Sequence, residues 1–237
     1  YTFTNFITFF IIVIVLLKNI KIKTYSLIEF YKEFMGYSVK SHLSNIVTLL
    51  NYRSSLFILG FFTSPALVGI YTVALQLVEK LWLPSQAVST IFLPKITHNL
   101  NEENSKDLAK STIDIARITL FFTLLLGFIF SLFLPILINL FFGVEYTQSI
   151  VVALLLLPGI LAWTPSRILA NDLAARGLAN INLKNACCVL FINIILSLLF
   201  IPLWGFKGAA IATSIAYFSD FLLRAYAFNK VTGVKVI

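Results

Sequence analysis

Apolar runs recur along this chain at 3–17, 43–63, 66–94, 112–141, 149–169, 186–203 and 206–228. About 20 helical residues cross the roughly 30 Å of hydrocarbon in a bilayer. Inside that hydrocarbon every backbone polar group must be satisfied within the protein, which helices do segment by segment. The runs therefore predict an all-α integral membrane protein of about seven transmembrane helices. Composition agrees, with 59% hydrophobic residues, 12% charged residues and 23 Phe among 237. A soluble domain sits nearer about 45–50% apolar and about 25% charged. A soluble fold of this length has too little interior to hide so much apolar surface. The third and fourth runs are long and carry Pro84 and Pro135, so tilt, kinks or protrusion into water must absorb the excess.

The net charge of +8 and the pI near 9.5 raise nucleic acid as a partner. The distribution of the charge argues against it. Lys and Arg are spaced between apolar runs and show no interleaving with aromatics on a polar face. All but three of the 18 basic residues fall in 18–42, 95–117, 167–184 and the tail from 224. The exceptions are Lys207, beside the opposite set of short connections, and Arg53 and Lys80, inside spans. By the positive-inside rule the basic connections and the C-terminus are cytoplasmic.

Parity then places residue 1 outside, and 1–17 has neither a basic start nor a small-residue cleavage site. An odd number of further spans upstream would resolve this, so the chain reads as part of a longer protein. The segment 18–42 is amphipathic, with Leu27, Phe30, Tyr31 and Phe34 at helical spacing among Glu29, Lys32 and Glu33. It is expected along the cytoplasmic interface or as a plain linker helix.

Ionisable groups inside spans cost about 2.5–3.5 kcal/mol each on insertion scales. Arg53, Glu79 and Lys80 lie near mid-span. Roughly ten large apolar residues around Arg53 contribute about −5 kcal/mol together, and Arg53 alone removes more than half of that. Asn51, Ser54 and Ser55 weaken the span further, so its polar face must pack on protein or water. In the next span Thr72, Gln76, Glu79, Gln86 and Thr90 form one helical stripe, flanked by Lys80. The stripe reads as the wall of an aqueous cavity or as a structural pairing of Glu79 with Arg53 or Lys80. The two can coexist. Nearer the expected cytoplasmic ends, Asp220 and Arg224 form an i,i+4 pair expected to snorkel. Trp163, Arg167 and Asn171 share a face after Pro165. Asn193 and Ser197 are expected to bond between helices.

No catalytic constellation accompanies His42 or His98. Cys187 and Cys188 are adjacent and point apart on a helix, which suits small apolar fillers rather than a metal site. The reading is thus a non-enzyme without cofactor or metal.

The segment SVKSHLSNIVTLLNYRSSLFILGFFTSPALVGIYTVA, from Ser38, carries Asn51-x-Arg53, a short turn and Val68-Gly69-x-Tyr71. FLPKI follows at 92–96, FFGVEY at 141–146 and IPLWGFKGAAIATSIAYF at 201–218. The last contains Pro202-x-x-Gly205-x-x-Gly208-Ala-Ala, a turn between two helices. In order and spacing these resemble the second lobe of polysaccharide repeat-unit (O-antigen or lipid-linked oligosaccharide) flippases. Those belong to the multidrug, oligosaccharidyl-lipid and polysaccharide exporter superfamily. Many relatives have an acidic residue two positions after the arginine. Here Ser55 stands there, so no role of that carboxylate carries over.

The resemblance implies two six-helix lobes around a cavity open alternately to each side. On that template 1–17 is the last helix of a first lobe, 18–42 a cytoplasmic inter-lobe linker and 43–237 the six-helix second lobe. The implied function is translocation of an undecaprenyl-diphosphate-linked oligosaccharide across the bacterial inner membrane. Membrane lipid and the remaining N-terminal lobe are the expected partners, with no nucleic acid. Candidate pathway residues are Arg53, Glu79, Lys80, Gln76, Gln86, Asn51 and Arg167, the last meeting the diphosphate at the cytoplasmic entrance. The alternatives are a cation-coupled exporter of organic cations or a non-transporting membrane scaffold. An exporter of cations favours acidic cavities, whereas mid-span basic groups here outnumber acidic ones two to one.

Overall fold

The computed structural model describes residues 27–99 and 105–236. The expected span at 3–17 lies outside the described residues. The chain divides into two compact units, Tyr1–Gly36 and Tyr37–Ile237, and the second carries the bundle. The described residues are all-α, without strands. Helix α1 spans Leu27–Phe62 and α2 spans Pro65–Glu79. A 3₁₀ turn at Lys80–Trp82 leads into α3, Leu83–Asn99. Helix α4 is Ser105–Phe141, α5 is Gln148–Ala175 and α6 is Ala179–Thr232, with a 3₁₀ turn at Val144–Tyr146 before α5. Helix α5 is central, packing against α2, α3, α4 and α6.

Four helical stretches are long and apolar enough to cross a membrane: Pro65–Phe92, Ser105–Phe141, Gln148–Ala175 and Ala179–Thr232. The last is a hairpin. Gly205 leaves helical geometry at φ 55° and ψ −132°, just after Pro202. The arms 179–204 and 206–232 are each about 39 Å long at 1.5 Å per residue, enough to span. Behind the bend, a Cβ on Gly208 would stand 2.1 Å from the Phe200 carbonyl oxygen. The Pro-x-x-Gly-x-x-Gly-Ala-Ala run is thus a turn in which one glycine supplies the left-handed backbone and the other close approach.

The long run at 66–94 is resolved by the 3₁₀ turn at 80–82, placed directly before Pro84. Proline cannot donate to the preceding turn and crowds it, so a tightened turn there is expected. The second expected span, 43–63, is the C-terminal part of α1, which runs without a break through position 42. It is not among the four apolar stretches, because Asn51, Arg53, Ser54 and Ser55 interrupt it. Its polar side faces inward: Ser44, Asn51, Ser54 and Ser55 are buried, while Leu43, Ile46, Leu50, Phe57 and Phe61 are exposed. This inverted arrangement suits apolar surroundings.

Helix α4 repeats the logic with small residues. Ala109, Thr112, Ala116, Thr119, Thr123 and Gly127 are turned inward, and Phe121, Phe128, Leu132, Ile136 and Leu140 outward. Small side chains let helix backbones approach where apolar lipid removes the hydrophobic drive to associate. The apolar core lies between α2, α4, α5 and α6, around Leu75, Val78, Leu134, Leu156 and Ile160.

The closest approach of α5 and α6 is at Gly159. A Cβ there would meet the Ser214 Cα at 2.5 Å, and the Gly159 N–H donates to Ser214 Oγ at 2.9 Å. Gly159→Ala forces the two backbones apart. Overpacking of this kind costs about 1–3 kcal/mol, and the apparent melting temperature in detergent is expected to fall by several degrees. Gly60→Ala is the control, since its Cβ meets nothing within 4 Å and helix propensity favours Ala by about 1 kcal/mol. A thermal scan in which Gly159→Ala matches the parent would contradict this packing.

Candidate functional site: the polar interior and its cavity

Two polar regions lie inside the bundle. The first is a closed network. Asn193, on the first arm of α6, is fully buried. Its Nδ2 donates to Asn51 Oδ1 at 2.9 Å, to the Asn51 carbonyl at 3.1 Å and to Ser54 Oγ at 2.9 Å. Its Oδ1 accepts from Ser55 Oγ at 3.0 Å. Ser55 in turn accepts from Thr213 Oγ1 at 2.8 Å, and Tyr71 OH lies 3.0 Å from Thr213. With Ser197 Oγ 3.0 Å from Ser55, donors and acceptors from α1, α2 and both arms of α6 satisfy one another. The expected interhelical bonding of Asn193 and Ser197 is realised here. Ser55 thus joins Asn193, Ser197 and Thr213 in an uncharged network.

The second region is a cavity of about 420 Å³. Helix α1 supplies Ser41, Ser44, Asn45, Thr48 and Tyr52; α5 supplies Trp163, Arg167 and Asn171; α6 supplies Asn182, Asp220 and Arg224. Ser41, Ala174 and Ala179 lie nearest the α5–α6 turn. Tyr52 and Trp163 lie furthest from it, within an aromatic cluster. Tyr52 sits 5.7 Å from Trp163 and 5.2 Å from Trp82 by ring centroids, and Trp82 and Trp163 are 4.8 Å apart. Tyr217 closes the group at 6.0 Å from Tyr52.

Arg167 carries the cavity's chemistry. Its guanidinium carbon stands 5.3 Å from the Trp163 ring centre, a cation–π arrangement. Its Nε is buried and has no hydrogen-bond partner among the described residues. The cavity's other charges neutralise each other. Arg224 Nε donates to both oxygens of Asp220 at 2.9 Å, and Arg224 NH1 donates to Asn182 Oδ1 at 2.8 Å. Ser166 Oγ donates to Asp220 Oδ2 at 2.6 Å. The cavity therefore presents one guanidinium with spare donors among neutral hydroxyls and amides.

The spacing of Asp220 and Arg224 predicts their pairing correctly, but not their snorkelling. Both are buried, at 3% and 6% exposure. Ser166 and Asn182 supply the hydrogen bonds that make burial tolerable. A second buried pair of the same spacing was not singled out in the sequence. Asp172 accepts from Arg176 Nε and from Thr112 Oγ1 at 2.7 Å, and Arg176 NH1 donates to Ser105 Oγ at 2.7 Å. It fastens the start of α4 to the end of α5. The i,i+4 acid-to-arginine spacing was the available signal.

Of the seven candidate residues, Arg167 lines the cavity. Asn51 faces the closed network instead. Arg53 NH1 stands 3.7 Å from Glu79 Oε1, with side chains 39% and 10% exposed. Glu79 Oε1 is buried without a hydrogen-bond partner among the described residues. The pair is thus an ion contact without a hydrogen bond. Lys80, Gln76 and Gln86 are exposed on the bundle surface. The 3₁₀ turn at 80–82 advances the helix by about 60° more than an α-helix would. Gln76, Gln86 and Thr90 thereby share the outward side, while Glu79 is buried. His42, Cys187 and Cys188 are exposed.

Apolar stretches long enough to span, packed over a satisfied polar network, define a multi-pass all-α membrane protein. The particular family follows from comparison. The model of the family described as polysaccharide biosynthesis protein matches residues 3–151, and the chain belongs to that family. It has a role in polysaccharide biosynthesis. It is 26% identical over 214 residues to the capsular polysaccharide biosynthesis protein CapF of Staphylococcus aureus, covering 90% of this chain and 54% of CapF. It is 23% identical over 206 residues to the probable low-salt glycan biosynthesis flippase Agl15 of Haloferax volcanii, covering 86% of this chain and 43% of Agl15. The chain spans about half the length of these relatives. No solved structure matches it.

Asn193→Ala removes the amide that joins Asn51, Ser54 and Ser55 to the first arm of α6 and leaves Asn51 Oδ1 without its partner. Interhelical hydrogen bonds in membranes are worth about 0.6 kcal/mol on average and up to about 1.7. The loss here should reach or exceed the upper figure, because bonds to three neighbours are lost together. Detergent melting curves check it. A cost below that of Asn185→Ala, at a half-buried position on the same arm, would count against the network.

Proposed function

We propose that the chain is a transporter lobe, rather than an enzyme, moving a lipid-linked oligosaccharide across the membrane. The substrate class is an undecaprenyl-diphosphate-linked oligosaccharide and the membrane a bacterial inner (cell) membrane. Its lipid tail stays in the bilayer while sugar and diphosphate need a hydrated, cationic path. The observation that carries the reading is Arg167, held on Trp163 in a polar cavity with an unpartnered Nε. A guanidinium is suited to bidentate contact with phosphate oxygens. Kinship with a protein named as a flippase supports the same reading. The chain's span of about half its relatives suggests a two-lobe protein, with 43–237 as the second lobe and a further N-terminal lobe as its partner. With the basic connections inside, the end of the cavity at Ser41, Ala174 and Ala179 lies toward the cytoplasm. Arg53, exposed on one side and weakly paired with Glu79, is a second cation along the path.

The functional test uses the complete transporter. Arg167→Ala should leave membrane yield within about twofold and abolish surface glycan, and Arg167→Lys should rescue only partly because it lacks the planar fork. Normal surface glycan from folded Arg167→Ala would sink the role of Arg167. Arg53→Ala should lower glycan output more than yield, and Glu79→Gln should not restore it. Restoration by the double change would make the pair purely structural.

Orientation is checked separately. In a background with Cys187 and Cys188 replaced by serine, Ser64→Cys and Glu145→Cys should label with an impermeant thiol reagent in intact cells. Asn180→Cys and Lys230→Cys should label only after lysis. The reverse pattern would invert the protein.

A further inference from the structure

The cavity holds more than an anion requires. Around Arg167, α1 and α5 present uncharged hydrogen-bonding groups that the fold does not use. The side chains of Asn45 and Asn171 line the cavity, are not fully buried and make no hydrogen bond among the described residues. Thr48, by contrast, spends its hydroxyl on the Ser44 carbonyl at 2.8 Å. Two free amides on opposite walls each offer a donor and an acceptor, the pattern that matches adjacent hydroxyls of a polyol. A phosphate alone would have no use for the acceptors. The deep end is aromatic, formed by Tyr52 and Trp163. The electron-rich faces of such rings favour the weakly positive C–H face of a pyranose. A volume near 420 Å³ falls at the lower end of the roughly 300–1,000 Å³ typical of small-molecule sites. That is the scale of one sugar with its phosphate, not of a whole repeat unit.

We propose that this cavity is a sugar-1-phosphate site. Arg167 takes the phosphate, the Tyr52–Trp163 end takes the pyranose face, and Asn45 and Asn171 read its hydroxyls. The inference rests on the flippase reading above and deepens it, because the group adjoining the phosphate is then inspected at the entrance. Asn45 and Asn171 are the specificity-determining residues.

The test is direct binding to the purified complete transporter in detergent, read by intrinsic tryptophan fluorescence. The probes are glucose 1-phosphate, galactose 1-phosphate, N-acetylglucosamine 1-phosphate, glycerol 3-phosphate and inorganic phosphate. At least one hexose 1-phosphate should bind ten-fold or more tightly than glycerol 3-phosphate. The double variant Asn45→Ala, Asn171→Ala should reduce that preference to within about three-fold while leaving inorganic phosphate binding unchanged. Both positions are free of internal hydrogen bonds, so the variant should fold, and unchanged melting checks it. Arg167→Gln should weaken every phosphate ester ten-fold or more. If all the probes bind alike, or none binds, the sugar-phosphate site is wrong. The flippase reading fails separately, when folded Arg167→Ala still builds normal surface glycan.

Discussion

A polar group away from water must find its partner within the protein, and the interior of this bundle is arranged around that constraint. Asn193 satisfies Asn51, Ser54 and Ser55 at once, and Thr213 and Tyr71 extend the chain of donors to α2. Apolar contacts hold helices together weakly when the surroundings are equally apolar. Close backbone approach at Gly159 and directional hydrogen bonds therefore define which helices meet and in what register. The inverted α1, polar inward and apolar outward, is tolerable only because this network receives its polar side.

The two buried Asp–Arg pairs extend the constraint to full charges. Each aspartate has a hydroxyl from a neighbouring helix, Thr112 for Asp172 and Ser166 for Asp220. Each arginine adds a further bond, Arg176 to Ser105 on α4 and Arg224 to Asn182 on the other arm of α6. A bare buried ion pair recovers little of its desolvation cost. With the remaining donors and acceptors satisfied, these pairs instead fix the geometry of the bundle at the end where α5 turns into α6. They also leave Arg167 conspicuous, because it lies in the same region without such a set.

Spans were legible in the sequence because hydrophobic length is a property of contiguous residues. The helical hairpin at Gly205 was legible for the same reason, its glycines and proline lying within nine positions. What the sequence left open depended on partners remote in the chain. Asp220 and Arg224 were legible as a pair at i,i+4. Their burial depended on Ser166 and Asn182, which lie 54 and 42 positions away from them. Asn51 sits on the same turn as Arg53 and invites assignment to one polar face. The structure separates them, since Asn51 points to Asn193 and Arg53 to Glu79. The stripe from Thr72 to Thr90 was legible as a period, but which way it faces depends on the helices packed beside it, and Gln76, Gln86 and Thr90 lie exposed rather than on the cavity.

The contrast between Arg53 and Arg167 separates two uses of a cation in such a bundle. Arg53 has a carboxylate 3.7 Å away, so part of its charge is answered internally. Arg167 has an aromatic face, which steadies a guanidinium without neutralising it. A carboxylate partner competes with an incoming anion for the same donors, whereas the Trp163 face leaves the edge of the guanidinium open. The aromatic cluster of Tyr52, Trp82, Trp163 and Tyr217 therefore does two things at once. It packs α1, the 3₁₀ turn at Lys80–Trp82, α5 and α6 against one another through large rigid side chains. It also supplies the one surface in the cavity that can orient a positive charge while leaving its hydrogen-bonding capacity for a ligand.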